Sequence, residues 1–181
     1  MNKHVLSVLV AAVMASAAFT AQAASITTVS GGTIQFIGSV ADAPCSVSAD
    51  SENGVVTLDQ VTLDSMGTKG SASGQAKAFD IALENCDVTT YTNATITFHG
   101  QSTTDQPGAL ANTAGSGAAT GVALMLFGPD GAQLDVEKES SKQILATGTN
   151  KIPLSVDYVK TADAATAGAV ESVATFQITY S

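Results

Sequence analysis

The last eight residues, Ala174 to Ser181, place the strongest constraint on what this chain folds into. Apolar Phe176, Ile178 and Tyr180 alternate with polar residues, so they share one face of a β-strand. Chain termini usually fray and carry little pattern. A strand that keeps its apolar face to the penultimate residue therefore indicates that the carboxyl terminus belongs to a sheet. Such a strand is either an ordinary closing strand or an edge to which another chain adds.

The same alternation recurs at short intervals along the chain. Segments rich in Gly, Ser, Thr and Ala separate the patterns and are typical of loops. No segment has a convincing helical period, apart from a turn or two within residues 65–77 or 109–119. About seven short strands at this spacing predict a single all-β domain built as a sandwich. The predicted strands are 33–37 with Val40, 55–63, 79–83, 95–98, the continuously apolar 122–127, 152–158 and 174–181.

The first 23 residues have the pattern of a cleaved secretory signal. Lys3 and His4 precede an apolar run from Val5 to Phe19, and Ala21–Gln22–Ala23 is an A-x-A cleavage site. The apolar run is about 15 residues long, short of the roughly 20 that are needed to cross a bilayer. We therefore expect export and a mature chain that starts at Ala24. Removal of 23 of the 181 residues leaves 158, enough for one domain with its own core.

The mature chain is acidic and contains no arginine. Six lysines remain after loss of Lys3, against 16 Asp and Glu residues. Arginine is the main side chain that binds phosphates and reads guanine edges, so nucleic acid is not an expected partner. Anionic membranes would also repel such a chain.

The side chains that could carry enzyme or metal chemistry are few. Cys45 and Cys86 form an even pair in an exported chain, which predicts a disulfide. His99 is the only histidine left after cleavage, so neither a metal site nor a catalytic base with a nucleophile is expected. Residues 50–54 faintly resemble a calcium loop, but the twelfth position is Val61 instead of a carboxylate. We expect no cofactor and no enzyme activity.

Several segments together resemble the chaperone–usher pilins, most strongly the major subunits of type 1 fimbriae of Gram-negative bacteria. The resemblance covers essentially the whole mature chain, and the cysteine spacing and signal sequence agree with it. The segments that carry it are Thr27–Phe36, Ala43–Pro44–Cys45, Asn85–Cys86, Gly148–Pro153, Gly168 at the fourteenth position from the carboxyl terminus, and the penultimate Tyr180.

The resemblance implies an incomplete immunoglobulin-like β-sandwich that a donor strand from a neighbouring subunit completes. A periplasmic chaperone lends a strand first, and the extension of the next subunit replaces it at an outer-membrane usher. The implied partners are thus identical or related pilin subunits, the chaperone and the usher, and the product is a homopolymer. The implied location is the cell surface, reached through the periplasm, where the fimbria supports cell adhesion.

The resemblance also divides the chain into a signal peptide (1–23), an amino-terminal extension that acts as the donor strand (24–40) and a pilin domain (41–181). Within the extension, Gly32, Ile34, Phe36, Gly38 and Val40 share one face of a strand. Ile34 and Phe36 would fill pockets of the neighbouring subunit, and Gly32 would allow close backbone approach. The alternative is that these residues form the first strand of their own domain.

The acceptor groove that also binds the chaperone is implied to involve Gly168, Phe176, Ile178 and Tyr180. We expect the terminal carboxylate to be free for the chaperone to anchor. A minor adaptor or an assembly terminator of the same pathway is the alternative to a major subunit. A tip adhesin is less favoured, because 158 residues leave no room for an additional binding domain.

Overall fold

The computed structural model describes residues 31–38, 40 and 42–181. The predicted signal peptide and residues 24–30 of the predicted extension lie outside the described residues. The chain divides into two units, 1–39 and 40–181. In the first unit, residues 31–38 form neither helix nor strand, and the side chains of Ile34 and Phe36 are exposed.

Residues 42–181 form two antiparallel sheets with very little helix. One sheet has the strand order β1-β2-β8-β5-β4, with β6 also paired to β5, and the other has the order β7-β3-β9. The elements are β1 (Ser46–Val47), α1 (Ala49–Glu52), a 3-10 helix (Leu63–Met66), β2 (Lys77–Cys86), β3 (Asn93–Gly100), β4 (Leu110–Ala111), β5 (Val122–Phe127), β6 (Gln133–Leu134), β7 (Gln143–Ile144), β8 (Gly148–Lys160) and β9 (Ala174–Tyr180).

The main core lies between the two sheets. Leu83 of β2 and Ile152 of β8 contribute from the larger sheet, and Ile96 of β3 contributes from the smaller one; all three are essentially inaccessible to solvent. Alternation within each strand places these apolar side chains on the inner face. The prediction of an all-β sandwich is confirmed.

Strand β5 is apolar on both faces, as its continuously apolar sequence predicts. Leu124 and Leu126 belong to the main core, whereas Ala123 and Met125 pack on the opposite face against Val159. A strand that is covered on both sides needs no polar positions. The predicted and observed bounds of this strand coincide.

Two other predicted strands are not present. Residues 55–62 form neither strand nor helix, and the segment ends in the 3-10 helix, so the prediction of a strand over 55–63 is wrong. Residues 33–37 likewise form no strand. Residues 50–52 of the segment that resembles a calcium loop lie in α1, where the Ser48 hydroxyl caps the helix by accepting a hydrogen bond from the Ser51 amide. Within the described residues, no helix is long and apolar enough to span a bilayer.

Candidate strand-acceptor groove

Strand β9 lies at the edge of the smaller sheet. It pairs with β3 along its whole length, from Ala174 opposite Gly100 to Tyr180 opposite Ala94. Within the described residues no strand pairs with its other edge. An edge strand of this length presents a row of backbone groups that another strand can use.

The register shows which backbone groups face this open edge. Ser181 and Asn93 exchange two hydrogen bonds, with N···O distances of 2.9 and 3.0 Å. In an antiparallel ladder every second residue bonds to the same neighbour. Thr175, Gln177 and Thr179 therefore bond to β3. The N–H and C=O groups of the residues that alternate with them point to the open edge, and these residues are Ala174, Phe176, Ile178 and Tyr180.

The same four residues direct their side chains towards the main core. All four are half-buried and pack against it. The Phe176 ring lies 6.2 Å from that of Phe98 in a tilted arrangement, and the Phe98 ring lies 6.5 Å from that of Phe79. The aromatic contacts hold the edge strand in place while its backbone groups stay available.

An open groove runs beside β9 and has a volume of about 1070 Å³. One wall is formed by residues 170–176, which lead into β9, and the other by residues between 47 and 58. The second wall includes part of the segment that forms no strand, and Val55 in it is 89% exposed. The floor is formed by core side chains that both sheets contribute: Ile81, Phe98, Leu110, Leu124, Leu126 and Val156. An apolar floor beneath an unpaired strand edge suits an extended peptide with alternating apolar side chains.

Three of the four residues predicted for the groove lie on β9, but only one of them lines it. Phe176 lines the groove, whereas Ile178 and Tyr180 lie further along β9 and are not among the lining residues. Burial removes water from the phenol of Tyr180 and raises its pKa. The open backbone edge nevertheless continues to Tyr180.

Gly168 does not line the groove. Its backbone lies directly against the backbone of residues 117–119, and the Ala169 amide donates a hydrogen bond of 3.0 Å to the Gly117 carbonyl. A Cβ atom at position 168 would overlap these backbone atoms. The observed packing therefore explains the glycine by close approach between two loops.

The terminal carboxylate is not entirely free, so that expectation is wrong for one of its oxygens. This oxygen of Ser181 accepts hydrogen bonds from the backbone amides of Thr92 at 3.2 Å and Asn93 at 2.9 Å, and from Asn93 Nδ2 at 3.4 Å. The β3–β9 ladder extends by one residue beyond the strand and brings the terminus onto these donors.

The disulfide fixes the start of one groove wall. Cys45 and Cys86 are joined, with a Cα–Cα distance of 4.1 Å, which confirms the predicted bond. The bond links the residue before β1 to the last residue of β2, and both cysteines are buried. Nearby, the Asp87 amide donates to the Pro44 carbonyl.

Sequence reasoning missed the wall opposite β9. Val55, Val56 and Leu58 carry the apolar pattern, and the pattern alone predicts a strand. Whether such a segment finds a neighbouring strand depends on the tertiary fold, and among the described residues this one has none.

Among the titratable side chains of residues 42–181, one close pair stands out as a candidate for metal or acid–base chemistry. His99 Nδ1 contacts Glu137 Oε2, and both side chains are partly exposed. Within the described part of the chain there is no group of three or more His, Cys, Asp or Glu side chains that could hold a metal ion.

Comparison with protein families identifies residues 34–181 with the fimbrial protein family. The chain belongs to this family. A laminin-binding fimbrial subunit, ElfA, of Escherichia coli O157:H7 is 35% identical over 181 residues and 99% of each chain. The type 1 fimbrial subunit of Klebsiella pneumoniae is 38% identical over 161 residues, or 87% of each chain.

Solved pilus subunits share the fold of this fimbrial protein. A subunit of a chaperone–usher pilus is 26% identical and superposes with a TM-score of 0.72, covering 87% of this chain and all of the other. The P pilus rod subunit PapA, also 26% identical, superposes with a TM-score of 0.65 over 77% of this chain and all of the other. The sandwich is therefore of the immunoglobulin-like type found in these subunits, and the chain is a fimbrial subunit of the chaperone–usher class, exported to the cell surface as part of a fimbria.

Proposed function

We propose that this fimbrial subunit polymerises head to tail by donor-strand exchange, in which residues 24–40 of one copy fill the apolar groove of the next. The open edge of β9, with an apolar groove beside it, carries the proposal. A heterologous contact of this kind repeats without closing and yields a linear polymer. The divisions 1–23, 24–40 and 41–181 then correspond to signal, donor strand and acceptor domain.

The extension has the side chains that such a groove requires. Ile34, Phe36 and Val40 share a face with Gly32 and Gly38, and their exposed fractions in this chain are 75%, 90% and 102%. Large apolar side chains that are exposed to this degree gain by burial in a partner. Because a strand rises about 3.3 Å per residue, Gly32 to Val40 spans about 26 Å and β9 about 20 Å. The extension is thus long enough to cover the whole open edge.

A chaperone that acts before polymerisation follows from the same geometry. An uncovered groove and strand edge would promote aggregation during transit, so we propose that a periplasmic chaperone occupies them until the subunit reaches an outer-membrane usher. We further propose that the polymer is a major fimbrial component that supports cell adhesion. The chain matches a type 1 fimbrial subunit over most of both chains, and a minor adaptor or terminator is the alternative to the major role.

Electron microscopy of cells that express the chain with its chaperone and usher tests the proposal. We expect fibres from the wild type and from Thr33→Ile, and secreted subunits without fibres from Gly32→Ile and from a chain that lacks residues 24–32. A Cβ atom at position 32 meets no atom within 4 Å in this chain, so Gly32→Ile leaves the subunit's own fold intact. Fibres from the deletion variant would show that the extension is not the donor.

A further inference from the structure

The rim of the apolar groove is acidic. Asp50 and Glu52 on α1 and Glu171 on the opposite wall all line the groove and are exposed. None of them has an ion-pair partner among the described residues, and no lysine lines the groove. A fourth lining carboxylate, that of Asp80, is paired with the Lys151 ammonium at 3.2 Å.

The chain's own extension carries no charge in its side chains. Residues 24–41 contain no Asp, Glu, Lys or Arg, and all 16 acidic residues of the chain lie at Asp42 or beyond. The positions that alternate with the apolar face are uncharged as well, including Thr33 and Gln35. A strand bound with Ile34 and Phe36 towards the floor directs these positions outwards, away from the floor.

We propose that the acidic rim, formed by Asp50, Glu52 and Glu171, makes the groove selective for strands without carboxylates, its occupant being residues 24–40 of a second copy. The inference rests on the proposed function and adds a rule of partner choice to it. Like charges across an interface disfavour a wrong partner even where the apolar contacts would fit. Acidic segments from elsewhere in this chain or from other exported proteins are thereby disfavoured.

The repulsion is of measurable size. Repulsion by one like charge about 8 Å away in water weakens binding roughly twofold, so two or three rim carboxylates should together weaken the binding of an acidic donor by roughly five- to tenfold at low ionic strength. In about 1 M salt the screening length falls to about 3 Å, and the difference should vanish.

Peptide binding to the mature chain tests the rule. The probes are synthetic peptides of residues 24–41 with Gln35 unchanged, with Gln35→Glu and with Gln35→Lys. The first substitution is nearly isosteric, so a change in affinity reports charge. The expected order of affinity at low salt is Gln35→Lys at least equal to the unchanged peptide, and both above Gln35→Glu.

Two variants of the mature chain separate a local effect of the rim from the overall negative charge. The rim variant is Asp50→Asn, Glu52→Gln, Glu171→Gln. The control variant carries Asp64→Asn, Asp105→Asn and Asp163→Asn, three exposed acidic residues that do not line the groove. The penalty for Gln35→Glu should disappear in the rim variant and persist in the control.

The outcomes distinguish the selectivity rule from the proposed function. Equal binding of the three peptides at low salt overturns the rule but leaves the donor-strand proposal standing. A penalty that persists in the rim variant, or that disappears equally in the control, assigns the repulsion elsewhere and also overturns the rule. If none of the three peptides binds the wild-type chain or either variant, the proposed function itself is refuted, and the rule with it.

Discussion

Truncation of Phe36 should weaken donor binding far more than truncation of its neighbour Ile37. Both side chains are apolar, and their exposed fractions in this chain are 90% and 85%. The proposal distinguishes them by parity alone. In the proposed complex, Phe36 would share a strand face with Ile34 and Val40 and point into the groove, whereas Ile37 would point the other way.

The size of the effect follows from the burial that Phe36 would gain. Nearly its whole side chain is exposed in the free chain, so binding would remove almost all of its apolar surface from water. Truncation of a large side chain in a packed apolar site costs about 3–5 kcal/mol, because transfer energy is lost and a cavity remains. Allowing for partial collapse of an open groove, we expect about 2–4 kcal/mol. Since about 1.4 kcal/mol corresponds to a tenfold change in affinity, the dissociation constant of the Phe36→Ala peptide should be larger by a factor between about 30 and several hundred.

The assay is calorimetric titration of the mature chain with peptides of residues 24–41 that carry either Phe36→Ala or Ile37→Ala. The Ile37→Ala peptide serves as the control and should bind within about twofold of the unchanged peptide, because an exposed side chain contributes little. Equal losses for the two peptides, or a larger loss for Ile37→Ala, would refute the parity assignment and with it the predicted register of the donor strand.

Three further predictions concern the subunit itself. Gly168→Ala should lower the free energy of unfolding in denaturant by about 1–3 kcal/mol, because the added methyl group overlaps a neighbouring loop backbone, whereas Gly38→Ala should not lower it. Replacing both Cys45 and Cys86 by Ser should lower it by about 4 kcal/mol in the same measurement, since the bond closes a loop with a sequence separation of 41. Burial raises the pKa of Tyr180, so the folded state holds this proton more tightly than the unfolded state, and stability should fall as the pH rises above about 10. Tyr180→Phe should make that alkaline loss shallower in a series of unfolding measurements, and an unchanged slope would contradict the assignment.

The sequence predicts the strands whose apolar faces meet the core. The alternation through Phe176, Ile178 and Tyr180 predicts β9, and the continuous apolar run of residues 122–127 predicts β5 with both faces covered. These predictions succeed because burial of one or both faces determines the residue pattern directly. The disulfide is predictable for a different reason, since an even pair of cysteines in an exported chain has few alternatives.

The parts that the sequence does not predict depend on which strands lie side by side. Strands β4, β6 and β7 have two residues each, too short for any periodicity. The pattern of residues 55–63 is typical of a strand, yet no described strand pairs with this segment, and Val55, Val56 and Leu58 in it line the groove. Alternation in β9 likewise shows a half-buried strand but not that one of its edges is open. The groove is thus a property of topology, which the periodicity of the sequence alone does not predict.

Amide hydrogen exchange along β9 is the most direct test of the central claim that an extended segment pairs with the open edge. The mature chain is compared with and without the peptide of residues 24–41. The account predicts that the amides of Phe176, Ile178 and Tyr180 exchange quickly in the free chain and become protected on binding, while those of Gln177 and Thr179, which already bond to β3, are protected in both states. Peptide binding that leaves the amides of Phe176, Ile178 and Tyr180 unprotected would contradict it.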